Sequence, residues 1–562
     1  MNKEFFGVFG GVDEFRRFRS PAAFDRVVEG ETATVGVRDV GLGIPGRTAV
    51  YEGDHGVCVI WGEVYPPDGV HANAARWLLD RYAECGVEAL GELNGSYLAF
   101  VDYDGTSFVA TDPARTWECF YTDDPGFRVF GTDPVSVVRT MRSRQIDPEP
   151  LLEFVQLSVV LGDRTVLDGL RRVPFDGLLT RSETRGLDRF VYDPREFDYV
   201  DELARRLTRA IQRRADLPGR KGLLLSGGYD SRTILAGLPE IDECYTVGVP
   251  VGGEAEVARK VAAQYGADHR TLTVNGRYLN TSPEVIQYGL GIKESLHIHH
   301  AGYNDEIGVD TIYHGLLSDT FLRGYFLPRD GIELFGYNYP RDRLDPDPDV
   351  AHSLSKSFGY VPTCERVFPQ GVTDAESSAD FVRDVVHREL DAWSDRYDSI
   401  YNGIELFGVQ NQPTVPFRTH LADHYIESFV AADAELIDWH LTTPPEHRNT
   451  RTLLKAIRKI DPDILRHRPP DRPHDSFKLN QIEKFLRRKL PVVDPFDQPW
   501  PDREELYERN QVDRQLFPDD PDVYDLPVRL KLRINDAMSW LDLATETSDV
   551  RPSDVLCPQA AL

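Results

Sequence analysis

The chain has 562 residues, with 92 Asp and Glu against 64 Lys and Arg, for a formal charge of −28. That length accommodates two to four cores, and the acidity argues against non-specific binding to nucleic acid or to an anionic membrane, which needs a basic face. No apolar run reaches the roughly 18 residues of a membrane span: the best, Leu151–Leu161, is broken by Glu153 and Gln156. No secretory segment opens the sequence, so the expected location is the cytoplasm. Acid dispersed along the whole chain, with few lysines, points to adaptation to high salt, where screening relieves self-repulsion; an ordinary acidic cytosolic protein is the alternative. Cys58, Cys85, Cys119, Cys244, Cys364 and Cys557 form no CxxC pair. They read as small buried hydrophobes rather than zinc ligands or a disulfide framework.

In chain order, the first 190 residues carry short apolar segments: Val57–Trp61, Ser96–Val101, Ser107–Ala110 and Phe127–Phe130. Turns such as Asp104-Gly105 and Asp124-Asp-Pro-Gly126 separate them, which is a hairpin pattern. One helix, Ala72–Cys85, intervenes. From Asp201 the pattern changes to helix Asp201–Ala215, strand Gly222–Leu225, helix Arg232–Leu238, strand Cys244–Val249, helix Glu254–Tyr265 and strand Arg270–Val274. Such alternation predicts a parallel sheet with crossover helices. Beyond Tyr278 the chain reads as mainly helical, with loops such as Asp342–Asp349. A Pro/Asp-rich tract follows Arg468, containing the basic helix Phe485–Lys489, and a last helix covers Val528–Leu543. This tract is expected to wrap the preceding domain rather than fold alone.

The stretch Lys221-Gly-Leu-Leu-Leu-Ser-Gly-Gly-Tyr-Asp-Ser-Arg232 carries the chemistry. It predicts a buried strand, a tight turn at Gly227-Gly228 and a helix start, so that turn amides and a helix N-terminus face one point at the carboxyl end of the strand. That arrangement suits phosphate. Asp230 fits there if Mg²⁺ bridges its carboxylate to phosphate oxygens; it reads equally as a helix cap, although Ser231 serves that purpose as well.

Ser226–Ser231 resembles the pyrophosphate loop of ATP pyrophosphatases, and the flanking segments resemble the asparagine synthetase family, which includes β-lactam synthetases. Gly62-Glu-Val-Tyr65, Leu93-Asn-Gly-Ser-Tyr-Leu-Ala-Phe100 and Gly162–Pro174 are similar to family segments of the glutaminase half and the interdomain connection. Tyr245–Pro250 is similar to the second strand of the synthetase half. His314-Gly-Leu-Leu-Ser-Asp-Thr320, followed by Gly324-Tyr325, resembles the family's Ser-Gly-Glu-Gly-Ser-Asp-Glu loop. Val415–Phe417 and Arg451–Ala456 are similar to later segments. The likeness spans most of residues 1–470.

The resemblance implies an α+β, layered-sheet, degenerate glutaminase-like domain over residues 1–195. It implies an α/β ATP-binding synthetase domain with a parallel sheet and a mainly helical later part over residues 196–470. Residues 471–562 are left as the wrapping segment and C-terminal helix. It also implies ATP and Mg²⁺ as cofactors, Asp230 and Asp319 as the catalytic, metal-holding carboxylates, and an ATP or pyrophosphate site at Leu224, Ser226, Gly227, Gly228, Asp230, Ser231, Val247 and Gly315. Glu294, His297, His299, His300 and Tyr303 precede the second loop, where the family places acceptor-pocket residues; they read equally as structural residues. The departures are specific. Asn2 stands where family glutaminases carry a cysteine nucleophile, and Trp61 replaces the oxyanion-stabilising asparagine, leaving Gly62 N–H. Leu316 replaces the acid that helps the amine attack. The lysine that clamps pyrophosphate has no evident counterpart, although Arg466, Arg468 and Arg472 lie near its place.

The implied activity is an ATP-dependent ligase that activates a carboxylate as an acyl-adenylate, releases AMP and pyrophosphate, and passes the acyl group to an amine without hydrolysing glutamine. Two alternatives stand beside it: a catalytically silent nucleotide-binding or assembly paralogue, and adenylation or cyclisation of another substrate. The expected partners are a small-molecule or peptide carboxylate and an amine acceptor, with neither nucleic acid nor membrane. Family relatives often dimerise, which leaves a homodimer open.

Overall fold

A computed structural model describes the chain except for residues 68, 70–71, 125–127, 251–252, 335–336, 362–366, 370, 490–495, 497–499, 547–549 and 557–562. Cys364, Cys557, Phe127, part of the Asp124–Gly126 turn and part of the Pro/Asp-rich tract lie outside the described residues.

The N-terminal part is two antiparallel six-stranded sheets. One runs, edge to edge, Leu170–Arg172, Phe120–Thr122, Val129–Gly131, Glu4–Val8, Thr34–Arg38 and Arg26–Glu29. The other runs Thr184–Gly186, Gly177–Thr180, Thr106–Thr111, Asn94–Tyr103, Gly56–Tyr65 and Ala49–Gly53. Strand Gly56–Tyr65 shows why its sequence is continuously apolar. Val57, Val59 and Trp61 point into the core between the sheets, while Cys58, Ile60 and Val64 pack against helix Ala74–Cys85 on the other face. Side chains alternate across a strand, so cover on both faces demands apolar residues at every position. Each fully buried large side chain contributes about 1.5–3 kcal/mol.

The second part is built on a five-stranded parallel sheet, ordered Asp268–Thr273, Glu243–Gly248, Lys221–Leu224, Thr311–Tyr313 and Ile426–Ser428. Helices Tyr199–Gln212, Asp230–Gly237 and Gly253–Gln264 flank and connect its first three strands. These elements match the expected ones to within three residues at each end. The last two strands fall in the stretch read as mainly helical. They have three residues each, too few for a period to show. A hairpin, Arg329–Leu334 with Tyr337–Leu344, also replaces expected helix. Cys58, Cys119 and Cys244 are buried free thiols, and Cys85 is half-buried.

The C-terminal helix Val528–Thr545 does more than wrap. Leu530, Ile534, Trp540 and Leu541 share a core with Leu151 and Phe154 of helix Pro148–Leu157 and with Ile286 and Ile292. It therefore ties the sequence's two halves together. Leu151–Leu157 belongs to this buried helix, and no helix among the described residues is long and apolar enough to cross a membrane. Buried ion pairs lock the same boundary. Arg418 pairs with Glu427 at 3.0 Å and donates to Ser96 Oγ and the Thr116 carbonyl. Glu118 accepts from Arg172 and from Lys293, each at 2.7 Å.

Candidate functional site

Strand Lys221–Leu224 ends at Leu225, and the chain turns through Ser226–Tyr229 into helix Asp230–Gly237. Arg232, fully buried, fixes the turn: its guanidinium donates to the carbonyls of Gly227 and Gly228, both at 2.6 Å, and to those of Ile464 and His467. With the carbonyls held on that side, the turn's amides face the other. They are not all free. Ser226 N–H donates to Ser231 Oγ at 3.1 Å, Gly228 N–H to Ser226 Oγ at 3.2 Å, and Gly227 N–H to Glu254 Oε1 at 3.0 Å. A phosphate oxygen at the Gly227 amide has to share or displace the Glu254 carboxylate. Burial pushes the Glu254 pKa up to about 7.

The second loop lies directly against the first. A Cβ on Gly315 would sit 3.0 Å from the Ser231 nitrogen and 3.1 Å from Asp230 Cβ, tighter than ordinary packing, so glycine favours this approach. Two residues on, Leu317 adopts φ +59° at the start of helix Ser318–Arg323, where the family motif has its second glycine. A left-handed leucine costs about 1–2 kcal/mol, and such strain gathers at functional sites. Its effect is to bring Asp319 to the same cavity as Asp230.

That cavity, about 440 Å³, is lined by Leu224, Ser226, Asp230, Ser231, Gly315 and Asp319, together with His297, His299, His314 and Leu316. Asp230 Oδ2 accepts from Arg323 at 2.7 Å, whereas its Oδ1 is buried with no hydrogen-bond partner. Burial raises its pKa, Arg323 opposes that shift, and the neighbouring Asp319 adds to it. Among the described residues, Asp319 Oδ1 accepts from the adjacent Thr320 N–H, at 2.9 Å. Among the described residues no cluster of three or more His, Cys, Asp or Glu is placed to hold a metal. Two carboxylates, one with an orphaned buried oxygen, suit Mg²⁺, which binds through one or two carboxylates plus substrate phosphates.

Other expected residues stand elsewhere. Gly227 and Gly228 are in the turn but do not line the cavity, and Val247 lies on the neighbouring strand, packed among hydrophobic side chains. Glu294 is buried between Arg529 and Arg533 of the C-terminal helix, which hold its carboxyl well below the usual range against burial. His300 bonds His420 through its Nε2 at 2.9 Å, and the Tyr303 hydroxyl accepts from Asn275 N–H at 3.4 Å. These three do not line the cavity; His297 and His299 do. His299 is stacked on Trp500 with centroids 4.6 Å apart, and burial together with Arg503 lowers its pKa well below the ordinary value. Trp500 and Arg503 come from the tract read as wrapping. Of the three arginines considered as a clamp, Arg466 is exposed and Arg468 pairs with Asp475, whereas Arg472 lies over the Tyr229 ring at 5.5 Å. Arg323 and Glu254 were not anticipated. Arg323 carried a signal, being four residues after Asp319 on one short helix.

The corresponding region of the N-terminal part is closed. Asn2 N–H donates to Asp423, as does Lys3 N–H at 2.8 Å. The Lys3 ammonium pairs with Asp39 at 2.6 Å and lies over both the Trp61 and Trp117 rings. Those rings meet edge to face at 4.5 Å. Gly62 N–H, expected to remain available, donates to Thr48 Oγ1 at 2.9 Å. The space left among Met1, Lys3, Trp61 and Trp117 is about 10 Å³, the size of a single water site.

Residues 202–331 match the family described as asparagine synthase. Over that span the chain is similar to an asparagine synthase domain. That family consists of ATP-dependent ligases that form amide or other carbon–nitrogen bonds, and the matched span contains both loops. No curated protein matches the chain. Two solved structures align with it: the glutamine phosphoribosylpyrophosphate amidotransferase from B. subtilis complexed with ADP and GMP, and the allosteric regulatory enzyme of purine biosynthesis. Each is 11% identical and covers 72% of this chain, over 87% and 86% of its own length, with TM-scores of 0.17 and 0.18.

Proposed function

We infer that the protein is an ATP-dependent ligase that activates a carboxylate and transfers it to an amine without using glutamine. The observation that carries this reading is the convergence of Asp230, with its unpartnered buried oxygen, and Asp319 on one cavity beside the Ser226–Ser231 turn. In the first step a substrate carboxylate oxygen attacks the α-phosphorus of ATP and the bond to the β-phosphate oxygen breaks, giving an acyl-adenylate and pyrophosphate. Asp230 and Asp319 would hold Mg²⁺, which when bound offsets charge on the polyphosphate. Arg323 and Arg472 stand where they attract the departing pyrophosphate. In the second step an amine attacks the acyl carbon, AMP leaves, and the amine's proton goes to a base. Leu316 cannot accept it. His299, lining the same cavity, supplies an imidazole in its place.

The filled N-terminal pocket supports the absence of glutamine hydrolysis, so the amine comes from solution or from the acceptor itself. ATP–pyrophosphate exchange across a panel of carboxylic acids tests the reading. Exchange dependent on one acid class is expected; no exchange with any acid, despite ATP binding, overturns it. A second reading, a silent nucleotide-binding paralogue, is favoured by Glu254 on the Gly227 amide and Arg323 on Asp230. It predicts calorimetric binding of Mg-ATP with no AMP formed.

A further inference from the structure

A larger cavity, about 670 Å³, lies between helices Thr450–Ile460 and Phe477–Lys489, and its lining residue Arg323 donates to Asp230 of the 440 Å³ cavity. This volume is in the range that houses a drug-sized ligand. Its lining carries seven Lys and Arg against two aspartates, in a chain whose acids outnumber its bases by 92 to 64. The sequence places rare lysines here: Lys455, Lys478 and Lys484 are three of eleven in the whole chain.

The two aspartates are already engaged, Asp471 by Arg472 at 3.1 Å and Asp475 by Arg458 and Arg468. Arg323 is held by Asp230. Arg451, Lys455, Lys478 and Lys484 remain, and none of them has an ion pair among the described residues. Arg451 and Lys455 are four apart on one helix, where like charges repel. Lys478 and Lys484 line the same cleft from the helix that follows. Uncompensated cations facing one concavity raise each other's energy, and an anion placed among them relieves it. Lysine ammonium groups are compact point charges with three donors each, a form suited to phosphate, and Arg451 adds a planar fork. Pyrophosphate from ATP would occupy only the inner end, at Arg323 and Arg472.

We propose that the outer part of this cleft is a second phosphate site, in which Arg451, Lys455, Lys478 and Lys484 bind a ligand bearing at least two phosphate groups while ATP occupies its own loop. The ligand is either free polyphosphate or a phosphorylated substrate.

Calorimetric titration of the full chain, saturated with Mg-ATP, distinguishes the sources, using tripolyphosphate as one probe and fructose 1,6-bisphosphate as the other. One equivalent is expected to bind. Tighter binding of tripolyphosphate assigns the site to free polyphosphate, and tighter binding of the sugar bisphosphate assigns it to a phosphorylated substrate. Lys455→Glu with Lys478→Glu weakens the preferred probe by about thirtyfold or more and leaves Mg-ATP affinity within about twofold. If that pair fails to fold by circular dichroism, Arg451→Gln and Lys484→Gln, which keep bulk, replace it with an expected loss of about fivefold each. Absence of saturable binding, equal affinity in the variants, or citrate binding as tightly as either probe overturns the proposal. Should Mg-ATP itself not bind, the ligase reading fails, and the same titrations on the protein alone still test the cleft.

Discussion

The N-terminal pocket and the cavity at the Ser226–Ser231 turn are opposite outcomes of the same physics. In the first, two indole rings, a lysine–aspartate pair and a hydroxyl use up the available space, leaving about 10 Å³. In the second, about 440 Å³ remains and a buried carboxylate oxygen has no partner. Leaving a buried polar atom unsatisfied costs about 1–3 kcal/mol, and each region carries one, Trp61 Nε1 in the first and Asp230 Oδ1 in the second, but only the second has open space beside it for a partner. A region whose space is filled serves as scaffold; a region that keeps an unmet demand beside open space is where a ligand adds stability. The contrast also explains how acidity is distributed. Glu118, Glu427 and Glu294 are buried but ion-paired, and nearby cations hold their pKa values down against burial, whereas Asp230 and Glu254 at the loop are raised.

The sharpest test of this difference is substitution on either side of it. Asp319→Asn is expected to lower ATP–pyrophosphate exchange by about 10³-fold, while Lys3→Met, in the closed pocket, changes exchange by less than about twofold. On the scaffold side the effect appears in stability. Trp61→Ala should cost about 3–5 kcal/mol in denaturant unfolding through the cavity it leaves, and Asn2→Cys with Trp61→Asn should still yield no glutamine hydrolysis, because Lys3, Asp39 and Trp117 continue to fill the space. Detectable glutaminase activity in that pair would break the comparison.

The paired carboxylates make a pH prediction of definite sign. Because Glu118 and Glu427 titrate below their unfolded values of about 4.3, their contribution is complete above that pH and is lost as pH falls through the lower, folded values. Glu118→Gln should flatten this acid limb of the unfolding curve and cost about 3–5 kcal/mol at neutral pH by stranding Arg172 and Lys293. His299→Ala is expected to slow amide formation by about 10²-fold with pyrophosphate exchange retained, measured by product mass. The smallest effect is at the loop. Glu254, with its pKa near 7, gains charge beside the phosphate site as pH rises. Mg-ATP affinity should therefore fall by up to about tenfold between pH 6 and 8, and Glu254→Gln should abolish that dependence.

Local patterns carried much of this. The three strands and three helices from Tyr199 to Thr273 were legible because each spans enough residues for its period to show, and the glycine turn between strand and helix marks one end of the site. Strands Thr311–Tyr313 and Ile426–Ser428 were not legible, since three residues cannot distinguish one period from another and parallel pairing is decided by neighbours distant in sequence. The same holds inside the site. Asp230 and Asp319 stood in recognisable motifs, but Glu254 on the Gly227 amide and Trp500 against His299 are contacts between segments with no common pattern. Glu294, His300 and Tyr303 fell in the right segment, and tertiary packing turned them toward other partners.

By itself, then, the sequence determined the parallel-sheet frame, the glycine turn and the two carboxylates, because each rests on backbone geometry set by adjacent residues. Whether a pocket is open or filled, which carboxylate keeps a free oxygen, and where scarce lysines gather into one basic cleft were decided only by tertiary structure. Those properties depend on which side chains meet across hundreds of residues, and burial and Coulomb energies follow distance in space rather than along the chain.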